Sequence, residues 1–187
     1  TPGLWPAIKS QVFDRTLAEL KRRGIVYKGV LYAGLMITAK GLKVLEFNCR
    51  FGDPETQAIL PRMKSDLVPA MQACVDGELS EDLVAWRDEA CACVVMAAGG
   101  YPGPYRKGLP IGGLEKAAQL ENTVVFHAGT QPRDGSVVTA GGRVLGVTAL
   151  GANLRQAVDQ AYRAVATIDF DGKHFRRDIA RRAFNRS

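Results

Sequence analysis

The sequence predicts an α+β protein with two regions, and three patterns lead to this prediction. Two runs rich in β-forming residues, 26–38 and 42–48, flank a short glycine-containing turn, which is typical of an antiparallel hairpin. Apolar residues recur at near-helical spacing between Ala7 and Arg23. After Glu89 the chain changes to short apolar runs bounded by glycine. We therefore predict a domain boundary at Asp88, with residues 1–88 and 89–187 as the two domains.

The N-terminal region is predicted to begin with a helix that stops at Gly24, and the hairpin tip is predicted at Ala39–Gly41. Asp53 followed by Pro54 is the pattern of a helix N-cap with proline at the first helical position. A further helix is expected over 66–75, ending at Gly77. Another is expected from a cap at Ser80 to Trp86. The helix at the chain start has no strand or nucleotide loop before it, so we expect the region to be the end of a larger module.

The C-terminal region should be a small mixed α/β domain. Its strands are expected in 91–98, 123–130 and the pair 136–139 and 143–150, which Ala140-Gly141-Gly142 would join as a second hairpin. Asn153 is placed to cap a long amphipathic helix. The Gly-Gly-Tyr-Pro stretch after the first of these strands lacks the spacing of a phosphate-binding loop and is predicted to be a tight turn.

Composition excludes several classes of protein. The 187 residues are 47% hydrophobic and 24% charged, a globular profile, and no apolar run approaches the roughly 18 residues of a membrane span. No secretory signal is visible. The four cysteines fit no zinc or Cys-x-x-Cys spacing. We therefore predict a cytoplasmic protein with reduced thiols and no membrane partner.

The net charge of +6 lies mostly at the C-terminus. Residues 173–187 contain six Lys or Arg and one Asp, which is +5 of the total. The stretch 175–184 is predicted to be a helix with a solvated basic face and a packed stripe. The alternative is a nucleic-acid contact, for which Phe184 is the available stacking residue.

The stretch EFNCRFGDPETQ, residues 46–57, contains the candidate metal-binding and anion-binding residues. Side chains alternate along a strand, so Glu46, Asn48 and Arg50 should share one face, with the apolar set on the other. A carboxylate and an amide offer hard oxygen ligands for Mg²⁺, which leaves other positions for water and phosphate. Arg50 is suited to a phosphate or carboxylate. The alternative is an edge strand with a solvated polar face.

RFGDPETQ resembles the signature of the phosphoribosylamine–glycine ligase family, ATP-grasp enzymes of purine synthesis. Other segments resemble the same family in the same order from about Val26 onward: GVLYAGLMI, MKSDL, VVMAAGGYPG, FHAGT and GGRVLGVTALG. The resemblance implies that residues 1–88 are the C-terminal part of an ATP-grasp domain and that 89–187 are the family's C-terminal domain.

The resemblance also implies roles for residues. Glu46 and Asn48 would be the ligands of Mg²⁺ or Mn²⁺ that hold ATP, with Arg50 contacting phosphate or an acyl phosphate. Asp53 and Glu55 match the signature as helix caps or as groups that receive an amine, and Asp53 is our second catalytic candidate after Arg50.

The implied reaction joins glycine to 5-phosphoribosylamine at the expense of ATP, through glycyl phosphate. The adenine pocket and lid of an ATP-grasp enzyme normally lie upstream, so we expect the chain to be a fragment that needs the N-terminal part of the same enzyme and is inactive alone. His127 is predicted to be structural. Two alternatives stay open: a different ATP-grasp carboxylate–amine ligase, and a non-catalytic module that binds RNA through the basic tail.

Overall fold

The computed structural model describes residues 2–184, which form two compact units. The first comprises the chain up to Gly52 together with Ser65–Val84. The second comprises Asp53–Lys64 together with the chain from Ala85 onward. The last passage between the units lies close to the predicted boundary at Asp88. The short segment 53–64 thus belongs with the C-terminal region, although it is flanked by the first unit.

The first unit begins with consecutive helical stretches. A 3₁₀ turn at Pro2–Leu4 leads into helix α1 (Trp5–Ile8), and a π-helical stretch at Lys9–Asp14 follows. Helix α2 (Arg15–Arg22) comes next, and the helical region stops at Gly24, whose φ of +73° suits glycine. The predicted helix and its end are confirmed, whereas the π-helical stretch has no signature in the sequence.

The predicted hairpin is confirmed. Strand β1 (Tyr32–Thr38) pairs antiparallel with β2 (Gly41–Asn48), and Thr38 lies opposite Gly41. The Thr38 hydroxyl fixes the turn, since it accepts from the backbone N–H of Lys40 at 3.1 Å and donates to the Gly41 carbonyl at 2.9 Å. Tertiary pairing and local side-chain bonds therefore specify the same turn.

Helix α4 (Leu67–Asp76) is also confirmed, with Asp66 capping the N–H of Val68 and Gly77 in the left-handed region at its end. The helix predicted to follow Ser80 is wrong: only a 3₁₀ turn, Glu81–Leu83, forms there. Beyond it the chain is extended, and the carbonyl of Ala85 accepts from the N–H of Lys64. Sheet-like pairing thus replaces the helix.

The second unit is built on an antiparallel four-stranded sheet, whose strands lie in the order β4 (Thr123–His127), β7 (Arg143–Gly151), β3 (Ala90–Ala97) and β8 (His174–Phe175). Helix α6 (Leu154–Thr167) covers one face, and Asn153 Oδ1 caps it by accepting from the N–H of Gln156 at 3.0 Å, as predicted. Around the sheet lie two further helices, a separate hairpin and a terminal helix. These elements are α3 (Thr56–Ile59), α5 (Leu114–Ala118), β5 (Thr130–Arg133), β6 (Ser136–Thr139) and α7 (Arg181–Phe184).

The core of this unit lies between the sheet and α6, where Val94, Met96, Val147 and Ala161 are fully buried. Helix α3 packs against β3 and β7. A Cβ added at Gly146 of β7 would lie 3.5 Å from both Gln57 Cγ and Cys93 Sγ, so the two surfaces meet closely there. Strand β7 is therefore covered on both faces, which explains its nearly continuous apolar run.

The predicted second hairpin is wrong in its partners. Strand β6 pairs with β5, while β7 lies between β3 and β4. The turn that joins β5 to β6 is Asp134-Gly135, with φ values of +49° and +77°, the left-handed pair that a two-residue hairpin turn requires. The Asp-Gly signal therefore sets the hairpin, and Ala140–Gly142 is a connection out of it.

The basic C-terminal stretch is not the helix predicted over 175–184. His174 and Phe175 pair with Ala97 and Met96 at the end of β3, which removes them from helical geometry. Helix begins again only at Arg181, after Ala180 at a φ of +62°. Strand pairing outweighs the local helical pattern there, and 185–187 lie outside the described residues.

Candidate functional site

The structure places Glu46 and Asn48 side by side at the end of β2. Asn48 Nδ2 donates to Glu46 Oε1 at 3.3 Å, so both head groups lie on the same side of the strand. Glu46 is exposed and Asn48 is half-buried. The strand therefore presents a carboxylate and an amide group side by side.

A β-bulge precedes this pair. Gly34 lies opposite Glu46 and Leu35 lies opposite Val44, which leaves Leu45 as an extra residue in β2. Unbroken alternation would put Val44 on the same face as Glu46 and Asn48. The bulge breaks that alternation and separates the polar pair from the apolar residues before it. The sequence prediction placed Glu46 and Asn48 on one face, as the structure does, and missed the bulge.

Arg50 lies beyond the alternation, because β2 ends at Asn48 and the next two residues form a bend. Its Nη1 donates to the carbonyl of Phe51 at 2.9 Å. The side chain lines an apolar cavity of about 450 Å³ that is also bordered by Lys28 and by Met71 of α4. The guanidinium is exposed and keeps further donors for an anion.

Asp53 does not cap a helix. Helix α3 begins three residues later, with Glu55 at its N-cap position. The Asp53 carboxylate is instead held by two side chains: Arg143 Nη2 lies 3.3 Å from Oδ2, and Gln57 Nε2 donates to Oδ1 at 3.0 Å. Arg143 Nη1 also donates to the Asp53 carbonyl at 2.9 Å. The capping interpretation is thus corrected, because the carboxylate forms an ion pair instead.

Sequence reasoning missed Arg143. It is the charged residue that opens the otherwise buried strand β7, and that contrast is the signal by which it could have been found. Its acidic partner is Asp53 of the GDPE turn. The GDPE turn and the GGRVLG segment therefore meet in the second unit.

Two more of the glycine-rich segments converge beside Arg143. The carbonyl of Arg143 accepts from the N–H of Gly129, and the carbonyl of Gly129 accepts from Gly141. A Cβ at Gly129 would lie 2.5 Å from Gly141 Cα, and one at Gly142 would lie 2.1 Å from the ring of Tyr101. These glycines are required by close backbone and ring packing.

His127 and the two free cysteines of β3, Cys91 and Cys93, lack the features of reactive groups. His127 Nδ1 lies 3.0 Å from Thr130 Oγ1, in line with a structural role. Burial raises the pKa of the Cys91 thiol to about 11, with a further rise from the neighbouring Cys93. Burial also raises the pKa of Cys93. Neither thiol therefore has the lowered pKa of a nucleophilic cysteine.

The basic tail offers little for nucleic-acid stacking. The Arg155 guanidinium lies 3.7 Å from the ring centroid of Phe184, so this ring is already occupied. Arg176 is paired with Asp178 at 2.8 Å. Arg177 lies 5.2 Å from the ring centroid of Phe175. These contacts are those of a solvated, self-paired surface.

The donor set of β2 fits a hard divalent cation only in part. Between residues 2 and 184 no group of three or more His, Cys, Asp or Glu side chains is arranged to hold a metal ion. A carboxylate with one amide oxygen suits Mg²⁺ or Mn²⁺ when water and phosphate oxygens complete the coordination.

No helix in the described chain is long and apolar enough to cross a membrane.

Comparisons with known proteins agree with this architecture. The family model "Phosphoribosylglycinamide synthetase, ATP-grasp (A) domain" matches residues 1–56, and "Phosphoribosylglycinamide synthetase, C domain" matches residues 91–182. The hairpin and the C-terminal unit thus define a protein of the ATP-grasp class. The chain belongs to the phosphoribosylamine–glycine ligase family.

Individual relatives cover nearly the whole chain. The phosphoribosylamine–glycine ligase of Synechocystis sp. is 51% identical over 184 residues, which are 97% of this chain and 44% of that protein. The trifunctional purine biosynthetic protein adenosine-3 of Gallus gallus is 54% identical over 94% of this chain and 18% of its own length. The crystal structure of phosphoribosylamine–glycine ligase from Thermotoga maritima superimposes with a TM-score of 0.78 at 36% identity, over 90% of this chain and 41% of that one. The chain thus spans less than half the length of these relatives.

Proposed function

We propose that this chain provides the metal-binding strand and the C-terminal domain of an ATP-dependent carboxylate–amine ligase. The enzyme joins glycine to 5-phosphoribosylamine and yields glycinamide ribonucleotide, ADP and phosphate, a step of de novo purine biosynthesis. The named relatives at about half sequence identity support this assignment. The observation that carries it is the 3.3 Å approach of the Asn48 and Glu46 head groups on one strand.

In this proposal Glu46 and Asn48 hold a divalent cation, Mg²⁺ or Mn²⁺. When bound, the cation supplies charge neutralisation for the phosphates of ATP. The Glu46 carboxylate offers a charged oxygen, and the Asn48 amide adds an oxygen without further negative charge. Such a pair leaves enough positive charge on the ion to attract a polyphosphate.

Arg50 is proposed to bind the anionic group that is transferred. A glycine carboxylate oxygen attacks the γ-phosphorus of ATP, and ADP leaves. The amine of 5-phosphoribosylamine then attacks the acyl carbon of glycyl phosphate, phosphate leaves, and the nitrogen loses a proton as the amide forms. Phosphate oxygens carry negative charge at both stages, and negative charge also develops on the acyl oxygen when the amine attacks. A guanidinium binds such oxygens through charge-assisted hydrogen bonds.

Asp53 has two proposed roles. It is a candidate to receive the substrate amine, because its side chain is about half exposed at 52%. It also fixes the GDPE turn through Arg143 and Gln57, and these contacts favour the positioning role. Glu55 is proposed as the second acidic group of the turn.

The decisive test of the metal strand is Glu46→Ala. The variant is made in the Synechocystis relative after its 184 matching residues are replaced by this chain. We expect kcat/KM to fall at least roughly a hundredfold and the Mg²⁺ requirement to rise, because a direct ligand is lost. Lys43→Ala, an exposed change on the same strand, is the control. Ordinary Mg²⁺ dependence in Glu46→Ala would remove Glu46 from the site.

We further propose that the 187 residues alone do not turn over. The chain covers 44% of the Synechocystis relative, and the family resemblance implies that the adenine pocket and lid belong to the remaining part. The experiment is a product assay with ATP, glycine and 5-phosphoribosylamine, with the chimeric enzyme as the positive control. Product formation by the isolated chain at the rate of the chimera would contradict this proposal.

We also propose that the protein is cytoplasmic.

A further inference from the structure

Gly34 is an unusual residue for its place in β1. Glycine weakens the interior of a strand, because it gains no side-chain packing and loses more conformational freedom on folding than other residues. Gly34 has no positive φ that would require glycine. An alanine backbone fits the same conformation, so the reason for a glycine must lie in what surrounds it.

The neighbour of Gly34 is Glu46. The two residues are direct cross-strand partners at the β-bulge. A Cβ at position 34 would lie 3.0 Å from Glu46 Cγ and 3.7 Å from Oε1. The first distance is clearly shorter than the 3.5–4.0 Å at which two carbon atoms contact each other best. The Glu46 side chain therefore occupies part of the space that a side chain at 34 would fill.

We infer that Gly34 is a positioning residue for the Glu46 carboxylate and that its missing side chain is what lets Glu46 lie beside Asn48. The bulge at Leu45 sets the direction of the Glu46 side chain, and Gly34 provides the room for it. With alanine at 34, Glu46 Cγ must give way by a few tenths of an ångström, and we expect rotation of the Glu46 side chain to provide this room. That movement takes Glu46 Oε1 away from Asn48 Nδ2, which lies 3.3 Å from it.

This inference rests on the proposed metal-binding function, and its test separates the two. In the 187-residue chain without metal, the side-chain conformation of Glu46 is measured by NMR scalar couplings in the parent and in Gly34→Ala. Mn²⁺ binding is measured in the same samples from paramagnetic broadening of the β2 amides. Gly3→Ala is the matched control, since a Cβ at Gly3 would have nothing within 4 Å.

We expect Gly34→Ala to change the Glu46 rotamer and to weaken Mn²⁺ binding roughly tenfold, the scale typical of lost ligand orientation. The thermal midpoint should stay equal or rise, because alanine is the better strand residue. A merely structural role of Gly34 predicts the opposite, a lower midpoint with unchanged Mn²⁺ affinity. Gly3→Ala should match the parent in every measurement.

Two other outcomes are possible: one would contradict the positioning role of Gly34, and the other would contradict the metal site. If Gly34→Ala keeps the Glu46 rotamer and the Mn²⁺ affinity while Glu46→Ala loses the affinity, the positioning role of Gly34 is wrong and the metal site stands. If the parent chain shows no Mn²⁺ broadening near Glu46, or Glu46→Ala binds as the parent does, the metal site itself is wrong.

Discussion

Asp53 and Arg143 show how one side chain can fix a turn through two kinds of bond. The guanidinium reaches both the Asp53 carboxylate, at 3.3 Å, and the Asp53 carbonyl, at 2.9 Å. The first contact is an ion pair that salt screens, and the second is a hydrogen bond to backbone that salt affects less. The turn is therefore held at its main chain as well as at its side chain.

Arg143→Ala should destabilise the second unit by about 1 kcal/mol, the sum expected for a half-exposed ion pair and one hydrogen bond. Urea denaturation measures the difference. Arg133→Ala is the control, because its ion pair with Asp134 is longer, at 3.7 Å, and Asp134 is 94% exposed. Equal losses in the two variants would mean that the Asp53 contacts contribute no specific stability.

Residue-level prediction succeeded where the signal is local. Alternation over three residues was enough to put Glu46 and Asn48 together. The partner of Arg143 lies 90 residues earlier in the chain, and no local pattern connects the two. The interpretation of Asp53 as a helix cap is wrong for the same reason. Pro54, the next residue, suggests a cap, whereas the ion-pair partner Arg143 lies far along the chain.

Helices and strands were also predicted correctly where the signal is local and wrongly where it depends on distant residues. Helix ends defined by their own residues, such as Asn153 and Gly77, were predicted correctly because cap and helix lie within a few residues. The second hairpin was misassigned, because two turn signals compete between 133 and 143. Asp134-Gly135 forms a turn by itself, whereas Gly141 is explained only by its approach to Gly129 across the fold. The bulge in β2 likewise depends on a cross-strand neighbour.

The cap of α6 gives a test at this scale. Asn153→Ala should lower the free energy of unfolding of the second unit by about 1 kcal/mol, because the N–H of Gln156 loses its side-chain acceptor. Asn153→Asp keeps an accepting oxygen and should lose much less. Thermal or urea unfolding of the three proteins measures both. An equal loss for Asp and Ala would show that the cap bond contributes nothing.

At the scale of the whole molecule, the two units differ in how much they bury. Among the described residues of the first unit, only Val12 and Ala70 are buried apolar side chains, while Val26, Val68 and Leu45 are largely exposed. The second unit buries residues from β3, β7 and α6 in one continuous cluster. Apolar burial is the main favourable term in folding, so the second unit should hold its structure more strongly.

Hydrogen exchange should show this difference directly. The amides of β3 and β7 should exchange slowly and together, while those of β1 and β2 exchange at least roughly tenfold faster, which corresponds to a difference of about 1.4 kcal/mol in opening free energy. Mass spectrometry of peptic fragments after deuterium labelling measures both sets in one sample. Equal protection of the two sets would show that buried apolar area does not determine their stability.

The chain crosses between its units after Gly52, Lys64 and Val84. No single cut in the gene therefore releases the second unit whole. A truncation that starts at Ala85 discards Gln57 and uncovers the side of the sheet that carries Gly146 and Cys93. The smallest set of pieces that restores this surface is a synthetic peptide of residues 53–64 added in trans to 85–187.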